Sequence, residues 1–599
     1  MPKKNIISDW FHRHLENLRL RLSHAEALPQ LVFIGILSGL VTGTVIIAFR
    51  ALIETAQASF LPNLDTESYE QLSLLWRFSL PVLAAIFIAL LFRLAGKSQN
   101  LQTGIVHVME RLAYHQGHLP FKNMILQFLG ASVAIIGGFS VGREGPSVHL
   151  GAASSSLLGR YMQLPNNSIR ILVACGSAAA IGASFNTPLA GVIFAMEVVM
   201  MEYTIAGFTP VILASVTGTA IARAFYSDNI TFTVPNMRLE GLIEIPYIIA
   251  CGLVIGGLAA LFIKSLELVS SLSVKRSLTL RVLLAGVLMG GLAMYIPEIM
   301  GIGYDTVINA LTGNLASIGV VALILLLLAK LFATTIVLGL GIPAGLIGPT
   351  LFCGAIAGLL MGLLAQVLFI HPSAAGYYAL LGMGAMMGAV LQAPLAALTA
   401  IVELTFSRDI ILPGMVIIIS ALLTSRVLFD KGSIFITLMQ ARGLDYRNDP
   451  ISQSLLRMGV ASAMDRDIVS LDKNATLEQI LLSLESSPNW IVITENNTPI
   501  ALMPAPDLAR QYLEINPDSS TLEKEEDKDI RAKVDIDLIE IPAKRLQLEA
   551  ISLQSNLLQA VQLLDKSGAE ALYIRGSGEY SPTYGILTRE LIGGSYHKG

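Results

Sequence analysis

Between Gly142 and Pro146 the chain reads G-R-E-G-P, an arginine and a glutamate side by side in a stretch otherwise made of small and apolar residues, "GGFSVGREGPSVHLGA". Glycine lets backbones approach closely and adopt unusual φ, and proline is favoured in the first turn of a helix, where its missing N–H would have no partner. The motif therefore predicts a helix start. Such a start presents free N–H groups and about half a positive charge, so it attracts anions. A second motif, "GLIGP" at 345–349, has the same form. Two such starts facing each other would hold an anion by partial charges alone, loosely enough to let it pass. Glu144 could place its carboxylate where that anion would sit, then yield the place when protonated or displaced. Its counterpart in the second motif is Ile347, so the repeated architecture does not itself require an acid. Arg143 reads as structural, capping carbonyls or pairing with an acid.

The elements that must position these groups are membrane helices. Of 599 residues, 53% are hydrophobic and 14% charged, with mean hydropathy +0.64, against about a quarter charged in an ordinary globular chain. Apolar runs near the spanning length of about 20 residues recur from Leu31 to Leu428, among them "LVFIGILSGLVTGTVIIAF", "IPYIIACGLVIGGLAALFI" and "VVALILLLLAKLFATTIVLGLG". The net charge of −4 and the lack of a long basic stretch argue against a nucleic-acid partner. Cys175, Cys251 and Cys353 lie far apart in apolar segments and read as small core residues rather than a disulfide or metal set.

The membrane region is duplicated. "GREGPSVHLGA" (142–152) lies over "GLIGPTLFCGA" (345–355), and at nearly the same offset "GASFNTPLAGVIFAMEVV" (182–199) lies over "GAVLQAPLAALTAIVELT" (388–405), matching Glu197 to Glu403. A repeated membrane half is the usual mark of a transporter or channel with its substrate at the repeat interface. Glu197 and Glu403 read as capping or pairing groups. Lys330, inside an apolar run, reads as snorkelling or bonded to an internal carbonyl.

At these residues the chain resembles the CLC family of chloride channels and chloride/proton antiporters: "GREGP" resembles its most specific signature, "NTPLAGVIFAMEV" its following segment and "GIPAGLIGP" its second anion-site loop. The resemblance implies an all-α multi-pass membrane protein of two inverted repeats of broken helices, a homodimer with one pore per subunit, and chloride as the substrate. It implies a gating role for Glu144 and anion contacts from the amides of Arg143, Glu144, Gly145, Leu346, Ile347 and Gly348. Thr103, with Gly104 and Ile105, stands where the family commonly has serine, while Val106 replaces a proline. Phe435 stands at the family's pore tyrosine and lacks its hydroxyl. Val198 replaces the internal proton-relay glutamate common in the antiporters, and valine cannot relay a proton. The expectation is passive conduction of chloride or a similar small anion, gated by Glu144; exchange for protons on the same fold is the alternative. An intramembrane serine hydrolase using Ser177 and His149 is a remote third, and the chain is not expected to be an enzyme.

The boundaries read as a cytoplasmic N-terminal segment at 1–28, richer in Lys and Arg than in acids and so expected inside, a membrane domain at 29–445, and a tail on the same side of an inner or plasma membrane. In that tail, 446–520 and 541–599 each read as extended start, amphipathic helix, strand, turn, strand and helix start, joined by a charged linker at 521–540. They resemble a pair of CBS domains, a cytoplasmic α/β module that implies ATP, ADP or AMP as a ligand. Thr588 fits the nucleotide motif, with its acid displaced to Glu590. In the first module, Ala501 and Leu502 stand near an expected glycine and Asp507 near the acidic position. A dimer-stabilising platform is the other reading of the tail. No metal or other cofactor is expected.

Overall fold

The computed structural model describes residues 19–20, 22, 27–61, 67–96, 102–226, 238–370, 373–444, 450–515, 535–576 and 583–596. Most of the expected N-terminal segment 1–28, and the expected linker as far as residue 534, lie outside them. The chain divides into two compact units, one of Leu31–Tyr161 with Ile169–Arg447, the other of Met1–Gln30, Met162–Ser168 and Asn448–Gly599.

The first unit is a mostly helical, multi-span membrane body. Its helices are α1 (Leu28–Phe60), α2 (Leu74–Ala95), α3 (Gly104–Tyr114), α4 (Phe121–Ile136), α5 (Glu144–Tyr161), α6 (Asn166–Phe185), α7 (Pro188–Phe194) running into a π turn at Ala195–Met200, and α8 (Ile205–Tyr226). There follow α9 (Ile245–Ser273), α10 (Leu278–Tyr295), α11 (Tyr304–Leu311), α12 (Val320–Gly339), α13 (Ile347–Leu368), α14 (Ala375–Leu391), α15 (Pro394–Thr405), α16 (Ile411–Leu423) and α17 (Ile434–Gln440). Among the described residues, nine helices are long and apolar enough to cross a membrane.

The duplication is visible in how the halves bond to each other. Glu403 accepts from the Leu189 and Ala190 N–H groups at the start of α7, at 3.0 and 2.7 Å. Reciprocally, Glu197 accepts from Leu395 and Ala396 at the start of α15, at 3.3 and 2.7 Å. A contact in which i meets j and the repeat of j meets the repeat of i marks a two-fold relation. Both glutamates are therefore helix caps, each neutralising the donors of the other half's broken helix.

Small residues let the inner helices cross at backbone distance, as membrane interfaces require. A Cβ on Gly151 of α5 would overlap the Gly176 carbonyl oxygen of α6, and one on Gly354 of α13 would overlap that of Gly382 on α14. Every residue of α14 is buried. Because the obstacle at Gly354 is backbone and cannot turn aside, Gly354→Val should force α13 and α14 apart, at a cost of about 1–3 kcal/mol or more. The check is the thermal unfolding midpoint in detergent, which should fall; an unchanged midpoint would mean the crossing is looser than this.

The tail repeats one topology twice. In the first copy β1 (Ile468–Asp472) leads through a short β2 (Asn474–Thr476) and α19 to β3 and β4, where α18 is Pro450–Arg457, α19 Leu477–Glu485, β3 Trp490–Glu495, β4 Thr498–Pro504 and α20 Ala505–Ile515. After β5 (Asp535–Asp537), the second copy runs β6 (Leu546–Ser552), α21 (Leu557–Ser567), β7 (Ala571–Arg575), β8 (Thr583–Thr588) and α22 (Arg589–Tyr596). In each copy the first long strand pairs parallel with the one after the helix, which pairs antiparallel with the next. The β4–β6 pairing joins the copies into one six-stranded sheet. Both helices open with a reciprocal capping box, Thr476 with Gln479 and Asn556 with Gln559, which is legible in "TLEQ" and "NLLQ".

The expected module boundaries are exchanged at two places. Leu455, Val460 and Ala463, assigned to the first module, pack with Ile551, Leu557 and Leu564 of the second. Leu538, assigned to the linker, fills the first module's core beside Ile480 and Met503, and β5 pairs antiparallel with β2. Each copy is too small to cover its apolar face alone and borrows the strand or helix turn that precedes its neighbour.

Candidate functional site

The two motif loops meet as short antiparallel backbone. The Gly142 N–H donates to the Gly345 carbonyl at 2.7 Å, and the Gly345 N–H to the Gly142 carbonyl at 2.8 Å. The approach explains the glycines: a Cβ on Gly145 would lie 2.9 Å from Gly345 Cα, and one on Gly142 would overlap the Glu144 carboxylate. The helices α5 and α13 begin on either side of this bridge.

Glu144 is buried at 1% exposure. Its Oε2 accepts from the Gly348 N–H in the first turn of α13 at 3.2 Å, and its Oε1 accepts from the Tyr304 hydroxyl at 2.7 Å. The carboxylate thus lies on donors that suit an anion. It also lines an apolar cavity of about 400 Å³, open mouth included, with Phe185, Phe194, Ile347, Leu351 and Met387.

The cations near the carboxylate are already engaged by other groups. Arg143 donates to the Ser184 carbonyl at 3.2 Å and lies 3.6 Å from Glu54, which also pairs with Arg50 at 3.1 Å. Lys330, fully buried, donates to the Ile299 and Gly301 carbonyls at 3.0 Å each. It is therefore bonded internally, and snorkelling is excluded by its burial. By holding the turn before α11 it fixes the approach to Tyr304, where Gly301 and Gly303 take φ of +61° and +87°, the left-handed region glycine favours.

Glu67, in the connection between α1 and α2 and outside both spans, accepts from the Tyr304 N–H at 2.6 Å. Burial first, then the neighbouring Asp305 carboxylate, pushes its carboxyl up to about 7, against the pull of the Tyr304 N–H bond. A raised value means that the group is protonated below that pH and ionises above it. Glu67→Gln, locked in the neutral form, should lose a pH-dependent component of transport centred near that value; an unaltered pH profile would remove Glu67 from any such role.

The remaining expected site residues form other groupings. Leu346 precedes α13, and Gly145 faces Gly345. Thr103 precedes α3 without a side-chain cap bond, and the Gly104 N–H is taken by Gln127 Oε1 at 2.6 Å. Gln127 also donates to the Pro343 carbonyl at 2.8 Å, tying the α3 start to the second motif loop. Ile105 and Phe435 are buried, and α3 packs against α17. Val198 is buried within the π turn. The proposed Ser177–His149 pair does not exist: the Ser177 hydroxyl donates to the Val173 carbonyl of its own helix at 2.8 Å, and His149 bonds His107. In the tail the Thr588 hydroxyl accepts from the Leu591 N–H at 3.4 Å, Asp507 lies in the first turn of α20, and Glu590 is exposed.

Tyr304, Gln127, Glu67 and His107 were not found by the sequence reasoning. A signal existed for Tyr304, since "GIGYDT" is a third glycine-rich turn followed by a helix. Nothing local marks the other three.

Residues 83–426 match the family model described as voltage gated chloride channel. A ClcB-like protein of Ralstonia nicotianae is 33% identical over 54% of this chain and 76% of its own length. The H(+)/Cl(-) exchange transporter ClcA of Vibrio cholerae is 30% identical over 51% of this chain and 66% of its own length. Among solved structures, a slow cyanobacterial Cl-/H+ antiporter superposes with TM-score 0.60 at 21% identity, covering 70% of this chain and 99% of its own. A eukaryotic CLC transporter gives 0.54 at 20% identity, covering 96% of this chain and 98% of its own. At these identities the superpositions show the fold.

Proposed function

Because this chain belongs to the voltage gated chloride channel family, we propose that it moves chloride across the membrane in exchange for protons, with Glu144 as the group that trades places with the anion. The observation that carries the reading is the Glu144 carboxylate resting on the Gly348 amide, with the Tyr304 hydroxyl on its other oxygen. An ionised carboxylate there is itself a bound anion. Protonation removes its charge and weakens both charge-assisted bonds, so chloride can take the same donors; loss of the proton lets the carboxylate return. One site then answers to two ions. The residues in reach hold the anion with an amide and a hydroxyl rather than with a bare cation, since Arg143 and Lys330 are already engaged. Such a site binds a monovalent anion without trapping it.

The similarity to the H(+)/Cl(-) exchange transporter of Vibrio cholerae supports this reading over passive conduction. Conduction keeps one specific observation in its favour: Val198, where a proton relay is expected, is apolar and buried. Purified protein in liposomes separates the two. Chloride leaving down its gradient should draw protons inward against theirs; chloride efflux without proton uptake would establish conduction instead.

The reading is completed by a homodimer in an inner or plasma membrane with cytoplasmic termini, supported by family membership and by the Lys- and Arg-rich N-terminus, and by a tail that is a CBS pair, supported by its duplicated strand–helix–strand–strand topology. Of the tail's two expected uses, the platform is favoured over an adenine-nucleotide sensor, because the Thr588 hydroxyl already serves the start of α22.

A further inference from the structure

Two histidines lie buried against each other in the membrane body, and neither belongs to the site described above. His107 is one turn into α3 and His149 is on α5, five residues beyond Glu144; both are fully buried. His107 Nδ1 and His149 Nε2 are 2.9 Å apart. On its other nitrogen, His107 Nε2 receives the Arg111 Nε–H at 3.1 Å, with the Asn123 amide nitrogen at 3.5 Å.

These partners settle where the protons are. A guanidinium only donates, so His107 Nε2 accepts and its proton is on Nδ1, facing His149. His149 Nε2 must then accept, which puts its own proton on Nδ1. That atom is buried and makes no hydrogen bond among the described residues. The result is a directed chain, Arg111 to His107 to His149, ending in an unused N–H donor in the interior. An unused buried donor is costly, so the arrangement is not what structure alone would choose.

We infer that His107 and His149 form the proton relay of this protein, in place of the carboxylate that Val198 replaces. The inference rests on the exchange reading. A proton from solvent adds to His107 Nε2 as the Arg111 side chain releases it; the His107 Nδ1 proton moves to His149 Nε2, and the His149 Nδ1 proton leaves. One proton enters, one departs, and both rings end neutral with their protons on Nε2; the start returns when each ring gives up its Nε2 proton and takes one on Nδ1, a change of tautomer with no net gain or loss of protons. Glu144 lies on the same helix, about 7.5 Å of axial rise from His149 at 1.5 Å per residue. The charged and titratable groups facing His107 are Arg111 and His115 of the same stretch, Arg442 after α17, and His149 itself. The Glu110 carboxylate of α3 interacts with the same two arginines.

The test is chloride-driven proton uptake by the full chain in liposomes, comparing wild type, His149→Gln and His107→Gln. The relay predicts that the ratio of protons to chloride falls by about 100-fold in each, the scale of a lost proton-transfer group. Variants that keep the wild-type ratio overturn the relay and leave exchange standing. A wild type that moves chloride with no protons overturns both. Should the histidine variants fail to fold, Arg111→Gln decides, since it frees His107 Nε2 and leaves both rings in place: faster proton uptake supports the relay, and an unchanged rate counts against it.

Discussion

Replacing Glu144 by Gln should leave a protein that passes chloride and no longer couples it to protons. Glutamine keeps the size of the side chain but carries no charge and takes up no proton, so it mimics the protonated gate permanently. Its amide oxygen can still accept from Tyr304 or Gly348, but a neutral acceptor forms bonds roughly half as strong as a charged one. Chloride therefore meets a weaker competitor at every pH. In liposomes, chloride-driven proton uptake should drop below detection while chloride efflux continues, and the dependence of efflux on pH should flatten. Efflux that still follows pH as in wild type would mean that another group sets the gate.

The second large effect is expected at Tyr304. Its hydroxyl donates to a buried carboxylate at 2.7 Å, and hydrogen bonds to charged groups contribute about 1.5–3 kcal/mol. Tyr304→Phe removes that bond and little volume. At about 1.4 kcal/mol per tenfold, the shared site should lose tenfold or more of its hold on chloride, read as a higher half-saturating chloride concentration when Tyr304→Phe is added to Glu144→Gln, where no carboxylate competes. The Lys330 bonds that hold the preceding turn stay in place, so loss of fold is not the expected outcome. An unaltered half-saturation would make the hydroxyl a structural neighbour only.

The architecture was largely written in local pattern. Apolar runs gave the spans, the G-x-x-G-P loops gave the paired helix starts, and the duplicated segments gave Glu197 and Glu403 as equivalent positions of the two halves before either carboxylate was placed. Glu144 stood out because an acid in an apolar stretch is expensive unless it acts. What remained hidden is partner choice across long separations. Tyr304 reaches Glu144 from 160 residues away, and Gln127 reaches Pro343 from 216. The partner of His149 is likewise distant in sequence, His107 on α3, 42 residues away. In the tail, the capping boxes fixed both helix starts, yet which core each short flanking segment would fill depended on which copy had the uncovered face. Val198 shows the opposite hazard. A single position matched to a family pattern pointed to passive conduction, whereas the similarity to an H(+)/Cl(-) exchange transporter favours exchange.

Chloride binding by the purified protein, followed calorimetrically across pH in wild type and Glu144→Gln, addresses the competition itself. If the carboxylate and chloride contend for the Gly348 amide, wild-type affinity will weaken as pH rises, while the variant will bind more tightly and equally at every pH. Equal affinity in the two proteins, with the same pH dependence, would contradict a shared site.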